Sequence, residues 1–453
     1  MAARAELGVG KFGWVLAALF VALGALQAIR PELYNPPVIS DLQAPPEVKR
    51  ILVKSCYDCH SNETRLLWFD QIVPAYWMVV NDVRTARARL NFSEIGSKPA
   101  AAQRATLYES VNFIRFGAMP LASYSGLHPH SAVTSEELAV LQAYLRRNSP
   151  PAESTLAGVA GADAQYATWI ASGNKPGQTR PAPNGIPFLP EYKNWKLVSI
   201  TDRFDNQTIR AILANQTAVE AMAANRVNPW PDGAAFAKVA WLQQPDSAGF
   251  VRAGAFFQVE FMIKDARKYA ATEGWGWARW RGADLVPYGA DAEFSKECTG
   301  CHQPMRRNDY VFTRPIPEQG HSGNRKAMPA GDVPTNPLGW NLITIGANRQ
   351  ESTLFAVLGN DLAVKYARTN SGHDYPPGSE LALVTWTQAD DENWFGGRIP
   401  GTPKSVESVT VGERGEHSYE AFEGTPLRRV SAGGETPATR AVNLLRQRAA
   451  VVP

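Results

Sequence analysis

The hydrophobic and polar positions divide the chain into regions with different periodicities. The first region is an apolar run at 12–29, in which Gln27 is the one polar side chain and which basic residues precede. A run of this length lies on the border between a signal peptide and a membrane-spanning helix. The small residues Ala22 and Gly24 would form an acceptable signal-peptide cleavage site. Because the apolar run continues past them, it favours an uncleaved anchor over 1–31, with a cleaved signal as the alternative. The basic residues place the rest of the chain outside the cytoplasm.

Residues 36–148 carry hydrophobic positions at helical spacing and predict an all-α domain. The predicted helices are one from Pro46 into residue 56, one over 74–90, one over 101–116 and one that begins with the capping box of Thr134 and Glu137. Residues 149–190 are rich in proline, glycine and alanine. That composition predicts a linker without long helices or central strands.

From residue 191 onward the pattern changes to the alternation of β-strands, and it occurs twice. Residues 194–244 align without a gap to residues 339–389, with 16 identities in 51 positions, and the similarity continues after a shift of two residues. The predicted parts are two related, mainly antiparallel β modules over 191–315 and 335–430, and a polar tail over 431–453 with a short helix at 440–449. The fold class is therefore multidomain α + β.

Comparison of one strand with its copy distinguishes residues that serve the fold from candidates for haem chemistry. On one face of the strand after Gly233, the residues at 237, 239 and 241 are identical in the second module. On the other face Lys238 is a cation among apolar residues, and Leu383 replaces it in the copy. Lys238 is therefore a candidate site residue. The alternative is an edge-strand lysine whose ammonium stays in water.

All four cysteines of the chain belong to two Cys-x-x-Cys-His motifs. The first consists of Cys56, Cys59 and His60, and the second of Cys298, Cys301 and His302. In such a motif two thiols attach to one haem and the histidine is the proximal iron ligand. A redox disulfide does not need the histidine, and a zinc site needs a second ligand pair nearby. The sequence predicts two covalently attached c-type haems. The β module over 335–430 has no cysteine and therefore holds neither of them.

The first haem needs a ligand on its opposite face, and the region offers few. Met119 lies in a Gly-Ala-Met-Pro loop after a predicted helix, and we expect it to be that ligand. Met78 falls inside an amphipathic helix and is interpreted as a core residue. The alternatives are that Met119 packs on the haem edge, or that His128 or His130 binds the iron.

The helical region resembles a known family. The stretches SCYDCHSNET, VNDVRTARARLNFS and GAMPLASYSGLHP are similar to the small haem-binding domain of exported bacterial cytochromes. This resemblance covers most of 36–148. It implies electron transfer rather than substrate chemistry, in keeping with a His60/Met119 iron of raised potential.

The first β module resembles the cytochrome P-460 family, through NPWPDGAAFAKVAW, EGWGWARW, KECTGCHQPM and DYVFT. This resemblance covers about 191–313. It implies a mainly antiparallel β fold around a c-type haem whose open iron face meets hydroxylamine or nitric oxide. In that family a lysine cross-links to the porphyrin edge, and Lys238 matches it best. Without that cross-link the module would resemble the c-prime-beta relatives, which bind nitric oxide without oxidising hydroxylamine.

Two further residues are candidates at the second haem. Arg210, which is Phe355 in the copy, is a distal-pocket candidate, with a surface arginine as the alternative. Met328, in Lys-Ala-Met-Pro, competes for the sixth iron position, which we otherwise expect to be open or water-bound. Binding of Met328 would make the site an electron-transfer centre only.

These observations predict a membrane-anchored dihaem cytochrome on the periplasmic side of a bacterial inner membrane. Its second haem would bind or oxidise hydroxylamine or nitric oxide, and the first would relay electrons to a redox partner protein or membrane complex. The alternatives are a non-enzymatic electron-transfer subunit of a respiratory or photosynthetic complex, and a nitric-oxide-binding protein. With a net charge of +3 and basic residues scattered among acids, nothing indicates nucleic acid.

Overall fold

The computed structural model describes residues 11–149, 152–173, 179–316, 323–431 and 436–453. The chain divides into two compact units, Met1–Asn148 and Ser149–Pro453. The first unit is helical and the second is built on an antiparallel sheet. This order of a helical region before a β region confirms the coarse fold predicted from the sequence.

The helical unit follows the predicted hydrophobic pattern closely. Its helices are α1 (Lys11–Leu26), α2 (Pro46–Ser55), α3 (Tyr57–His60), α4 (Ala75–Arg89), α5 (Ala100–Arg115), α6 (Ala122–Leu127) and α7 (Ser135–Arg147). The capping box forms as predicted, because the Thr134 side chain accepts from the Glu137 backbone and the Glu137 side chain accepts from Thr134 N. Leu141 and Leu145 of α7 are buried, as their shared helix face predicts.

The apolar run at the N-terminus forms α1, which has 16 residues. Within the described residues, no helix combines the length and the apolar character that crossing a membrane requires. The predicted membrane anchor therefore has no support from the structure.

The prediction that 149–190 is a linker without long helices is wrong. Thr155 caps the N-terminus of α8 (Leu156–Ala171), a helix of 16 residues that contains no proline. Gln165 of α8 fastens this helix to the sheet, since its amide accepts from Phe256 N at 2.6 Å and donates to Phe256 O at 3.4 Å. Phe256 stands at a register irregularity of its strand, which leaves its backbone groups available to Gln165.

The first β module is mainly antiparallel, as predicted, and the predicted strand after Gly233 is present. Its elements are β1 (Lys196–Arg203), β2 (Thr208–Ala214), α9 (Gln216–Ala223), β3 (Ala235–Pro245), β4 (Phe250–Lys264), β5 (Trp275–Arg281), β6 (Val286–Pro287) and α10 (Phe294–His302). The residues at 237, 239 and 241 of β3 lie in the main hydrophobic core, as their identity in both modules predicts. The opposite face of β3 carries Lys238.

The second β module repeats this order. Its elements are β7 (Asn341–Asn348), β8 (Thr353–Gly359), α11 (Asp361–Thr369), β9 (Glu380–Asp390), β10 (Gly397–Val411), β11 (His417–Glu423), β12 (Arg428–Val430) and α12 (Pro437–Leu445). The strands β1, β2 and β3 correspond to β7, β8 and β9 at an offset of 145, and β4 corresponds to β10 at 147. The predicted repeat and its shift of two residues agree with these bounds.

The two modules form one sheet rather than two separate domains. Its strands run in the order β1-β2-β3-β4-β7-β8-β9-β10, and β10 pairs with β1, so the sheet closes on itself. The two joining seams are equivalent: Phe250 of β4 pairs with Asn348 of β7, and Arg398 of β10 pairs with Asp202 of β1. The remaining strands β5 and β6 extend from β4, and β11 and β12 extend from β10.

The interpretation of 431–453 as a polar tail is wrong, because the end of the chain is part of the core. The short predicted helix exists as α12, whose Ala441, Leu444 and Leu445 are buried. Residues 449–452 are buried in the same core. The buried indole of Trp241 donates to Val451 O at 2.7 Å, so this strand residue needs the chain terminus as its acceptor.

Candidate haem sites

The first motif lies where α2 passes into α3. The amide of Cys56 donates to Leu52 O, and the amide of His60 donates to Cys56 O, both at 2.8 Å. The motif is therefore one tight helical turn, which places two thiols and an imidazole close together. Tyr57, inside the motif, is buried and stacks on Phe92 at 5.1 Å, which holds this turn against the helical core.

His60 has the orientation of a haem ligand. Its Nδ1 lies 3.1 Å from Leu90 O, to which an Nδ1–H donates, so that Nε2 faces away from this carbonyl. Burial lowers the pKa of His60, which keeps the imidazole neutral at pH 7. A neutral imidazole with its second nitrogen fixed by a carbonyl is the usual arrangement of a metal-bound histidine.

The structure narrows the choice of a second ligand for the first haem. His128 is buried, with Nδ1 on Tyr124 O at 3.0 Å and Nε2 on Asp70 Oδ2 at 3.0 Å, so both of its nitrogens are engaged. Met78 is 62% exposed on α4, which contradicts its interpretation as a core residue. Met119 is half-buried in the loop between α5 and α6.

The loop that carries Met119 is fastened beside the first motif. α6 begins three residues after Met119, and Tyr124 of α6 donates to Asp58 Oδ2 at 2.8 Å. Asp58 stands between the two cysteines of the motif, while the Tyr124 ring stacks on His128 at 3.9 Å. This contact supports Met119 as the second ligand, which stays a prediction.

The second motif forms the last turns of α10. His302 Nδ1 lies 2.7 Å from Tyr310 O, which again leaves Nε2 directed elsewhere. Its ring lies between aromatic neighbours, with Trp277 at 4.5 Å and Phe312 at 4.9 Å between centroids. Burial lowers the pKa of His302 to about 4, so this imidazole too is neutral at pH 7. Both histidines therefore fit the role of proximal ligand.

The four cysteines of the two motifs are half-buried. All four are present as thiols rather than disulfides. Burial raises the pKa of Cys56 to about 12 and those of Cys59 and Cys298 to about 11, so these side chains are protonated at pH 7. Among the described residues, no three His, Cys, Asp or Glu side chains gather as a metal-ligand set.

A ladder of charges crosses the sheet beside the second motif. Lys238 of β3 pairs with Glu260 of β4, and Glu260 pairs with Arg279 of β5, as directly opposed residues. Glu260 accepts from Lys238 Nζ at 2.6 Å and lies 3.2 Å from Arg279 Nε. The charges of all three residues act on the pKa of His302, so the ladder lies near the second motif.

The ladder perturbs the ionisation of its members. Burial would raise the pKa of Glu260, but Lys238 and Arg279 outweigh it and lower that pKa to about 2. Burial lowers the pKa of Lys238 against the opposing effect of Glu260. The edge-strand interpretation of Lys238 is therefore not what the structure shows, since its side chain is 30% exposed and paired with a carboxylate.

Arg210 belongs to the same region. It lies on β2 with its Nε donating to Thr208 Oγ1 at 3.0 Å. Burial and the neighbouring Arg203 lower its pKa to about 9, and Glu260 acts on it in the opposite direction. The structure thus brings both candidates, Lys238 and Arg210, into one partly buried group with an excess of positive charge.

Sequence reasoning missed two members of this group. Glu260 is shared with the copy as Glu407, which by itself favours a structural role, and Arg279 is in none of the sequence predictions. The alternation of the GWGWAR stretch carries a signal for Arg279, since it places Trp277 and Arg279 on one face of β5. The partnership with Glu260 depends on strand register, which the sequence does not show.

The second module contains the remnant of the same site. β5, β6 and α10 correspond to β11, β12 and α12, with Trp280–Pro287 pairing as Phe422–Arg429 at an offset of 142. At this offset Arg440 of α12 stands where α10 has Cys298. Arg440 Nε donates to Glu407 Oε2 at 2.9 Å, and Tyr419 donates to the same oxygen at 2.6 Å. Side chains of this module fill the roles that Lys238 and Arg279 have beside Glu260.

Met328, the competing sixth ligand, lies in the second module's core. It packs against the main hydrophobic cluster, and Asn336 Nδ2 lies 3.9 Å from its sulfur. The residue before it, Ala327, accepts from the indole of Trp386 at 2.7 Å, which fixes this segment. These contacts give Met328 a packing role.

A helical domain and a β domain, each with a Cys-x-x-Cys-His turn and a half-buried histidine of lowered pKa, define a haem cytochrome. Comparison with protein families agrees with this class: residues 20–147 match the haem-binding domain family, and residues 189–313 match the cytochrome P-460 family. The chain therefore contains a haem-binding domain followed by a cytochrome P-460 domain, in the order predicted from the sequence. No curated protein matches the chain.

Proposed function

We propose that this protein is an exported dihaem c-type cytochrome. Its second haem binds or oxidises a small nitrogen species such as hydroxylamine or nitric oxide, and its first haem relays electrons. The observation that carries this proposal is the Lys238–Glu260–Arg279 ladder beside His302. Its cations are replaced by Leu383 and Ala421 in the module that cannot attach haem.

The residues of the second site have two roles: some would hold the haem, and others are polar groups that could contact its ligand. Cys298 and Cys301 would attach the haem, and His302 Nε2 would bind its iron. When bound, the haem supplies a Lewis-acidic iron and an electron acceptor for a small nitrogen ligand. Lys238 and Arg210 offer hydrogen-bond donors to such a ligand, and the ionised Glu260 offers a proton acceptor for N–H or O–H groups.

The residues of the first site suit electron transfer. Cys56 and Cys59 would attach the haem, and His60 and Met119 would bind its iron. A His/Met pair raises the potential of the iron and leaves no position for a substrate. Electrons taken up at the second site would then leave through the first site to a redox partner protein or a membrane complex.

The proposed location follows from the haem chemistry and the family. The first domain matches a haem-binding domain, which resembles those of exported cytochromes. We therefore place both haems on the periplasmic side of a bacterial inner membrane. Whether the apolar run at 12–29 stays as an anchor or is cleaved is tested by sequencing the N-terminus of the mature protein.

A second candidate function is nitric oxide binding without oxidation of hydroxylamine. It is favoured by the ion pair of Lys238 with Glu260, because a charged ammonium is a hydrogen-bond donor and not a nucleophile. In this case Lys238 would remain unbonded to the porphyrin, as in the c-prime-beta relatives.

The experiment compares Lys238→Ala with wild-type holoprotein by absorption spectrum, intact mass and hydroxylamine oxidation. The matched control is Lys264→Ala, which removes another buried lysine from β4, paired with Asp309 at 2.8 Å. A non-standard, red-shifted haem spectrum that reverts in Lys238→Ala but not in Lys264→Ala supports the oxidase. Two ordinary c-type spectra with nitric oxide binding support the second candidate. Two six-coordinate haems without either activity would refute both.

A further inference from the structure

Two aromatic residues flank the ring of His302, and the fold holds one of them more firmly than the other. Trp277 belongs to β5 and is fixed by the sheet. Phe312, the second neighbour, lies after Tyr310 in a segment without regular secondary structure. Because no strand or helix fixes Phe312, its position depends on what packs behind it.

What packs behind Phe312 is a loop of the haemless module. The loop connects β9 to β10 and covers residues 391–396. Asn393 Nδ2 donates to Phe312 O at 2.7 Å, and the Trp394 ring meets the Phe312 ring edge-on at 5.6 Å. Glu392 forms an ion pair with Arg314 at 2.7 Å. Three consecutive residues of one module thus hold the segment that contacts His302 in the other.

The loop itself is firmly held. Asn393 N donates to Asp391 Oδ1 at 2.9 Å, and Gly397 N donates to Trp394 O at 3.2 Å. The Trp394 indole donates to Asp205 Oδ2 at 3.0 Å, and Asp205 is in turn paired with Arg203. Trp394 is therefore fixed at both its backbone and its indole nitrogen.

The loop is also where the two modules differ in length. The connection from β3 to β4 has four residues, 246–249, whereas the connection from β9 to β10 has six. These two extra residues produce the change of offset from 145 to 147. The haemless module thus has the longer loop at the place where it meets the haem-bearing module.

We propose that the haemless module positions the proximal histidine of its neighbour, with Trp394 and Asn393 acting on His302 through Phe312. The repeat then serves its neighbour as a second subunit would, although it has no cysteine of its own. This inference rests on the proposed role of His302 as iron ligand. Trp394 and Asn393 are positioning residues, because neither touches the haem-binding side chains directly.

The test uses full-length holoprotein carrying Trp394→Ala, Asn393→Ala or Trp394→Phe. The readout is the iron–histidine stretching band of the ferrous second haem in resonance Raman spectra, which reports the orientation and strength of the His302 bond. We expect Trp394→Ala to shift and broaden this band, Asn393→Ala to do so less, and Trp394→Phe to restore most of the wild-type band.

The matched control is Tyr375→Ala, which removes a buried aromatic side chain of the same module that packs on Tyr366 at 4.6 Å. We expect it to lower the unfolding temperature as Trp394→Ala does but to leave the band unchanged. An unchanged band in Trp394→Ala with haem fully attached, or an equal shift in Tyr375→Ala, would overturn the inference.

Failure of the proposed function can be distinguished from failure of this inference. If the wild-type protein has no such band, the second haem has no open position, and the histidine orientation is then read from the g-values of its ferric low-spin signal. The same variants must shift those values for the inference to hold, whatever the activity of the site.

Discussion

The substitution Glu260→Gln tests the charge ladder beside the second haem motif. The carboxylate lies 2.6 Å from Lys238 Nζ and 3.2 Å from Arg279 Nε, and its side chain is 17% exposed. Glutamine keeps the size of the side chain but leaves Lys238 and Arg279 without the carboxylate that they share. Breaking a buried ion pair from one side costs about 3–5 kcal/mol, and partial exposure favours the lower end.

The pKa of Glu260 gives an independent magnitude. A fall from 4.5 to about 2 corresponds to about 3 kcal/mol of folding free energy, at about 1.4 kcal/mol per pKa unit. Since the folded pKa is depressed, this stability is present above the unfolded pKa and is lost as the pH falls through the folded pKa. The difference between wild type and Glu260→Gln should therefore be about 3 kcal/mol at pH 7 and less than half of that near pH 3.

The assay is denaturant unfolding of the holoprotein at both pH values, followed by far-ultraviolet circular dichroism. The internal repeat supplies a matched control in Glu407→Gln, because Glu407 occupies the same position and is paired with Arg440 and Tyr419. Both variants should lose stability at pH 7, and Glu260→Gln alone should change nitric oxide affinity at the second haem. A loss below about 1 kcal/mol, or an equal change of affinity in both variants, would refute the reasoning.

Three further outcomes are expected. Cys298→Ser should weaken covalent attachment of the second haem, and Cys56→Ser that of the first. Intact mass and haem staining of denatured protein measure this attachment. Loss of haem at the other motif would contradict the assignment. Met119→Ala should lower the reduction potential of one haem and open it to carbon monoxide, whereas an unchanged potential would show that Met119 is not a ligand. Arg440→Ala should destabilise the β unit by about 1–3 kcal/mol, since Arg440 is 38% exposed and its pair with Glu407 is only partly buried. It should alter neither haem spectrum, and a spectral change would contradict our interpretation of α12 as the haemless counterpart of α10.

Several features of the β unit were readable because they are local or repeated. The alternation along β3 separated the core residues 237, 239 and 241 from Lys238, and the strand has that geometry. The offset of 145 located equivalent strands of both modules to the residue. Such patterns survive in the sequence because side chains on a strand alternate with a period of two residues.

Other features failed because composition does not report packing. The linker prediction missed α8, whose alanines favour a helix and whose Gln165 satisfies backbone groups of Phe256. The tail prediction missed that residues 449–452 complete the core and supply an acceptor to Trp241. In both segments, the side chains are buried against surfaces that distant parts of the chain form.

The sequence by itself determined the chemistry that depends on near neighbours. The two Cys-x-x-Cys-His motifs predict haem attachment within five residues each, and the repeat identifies Lys238 as the residue to examine. Only the tertiary structure decided which groups surround that chemistry. It paired Glu260 with Lys238 and Arg279 through strand register, and it brought Asn393 to Phe312 across 81 positions of the chain. Contacts of this kind follow from closure of the whole sheet, which no local pattern encodes.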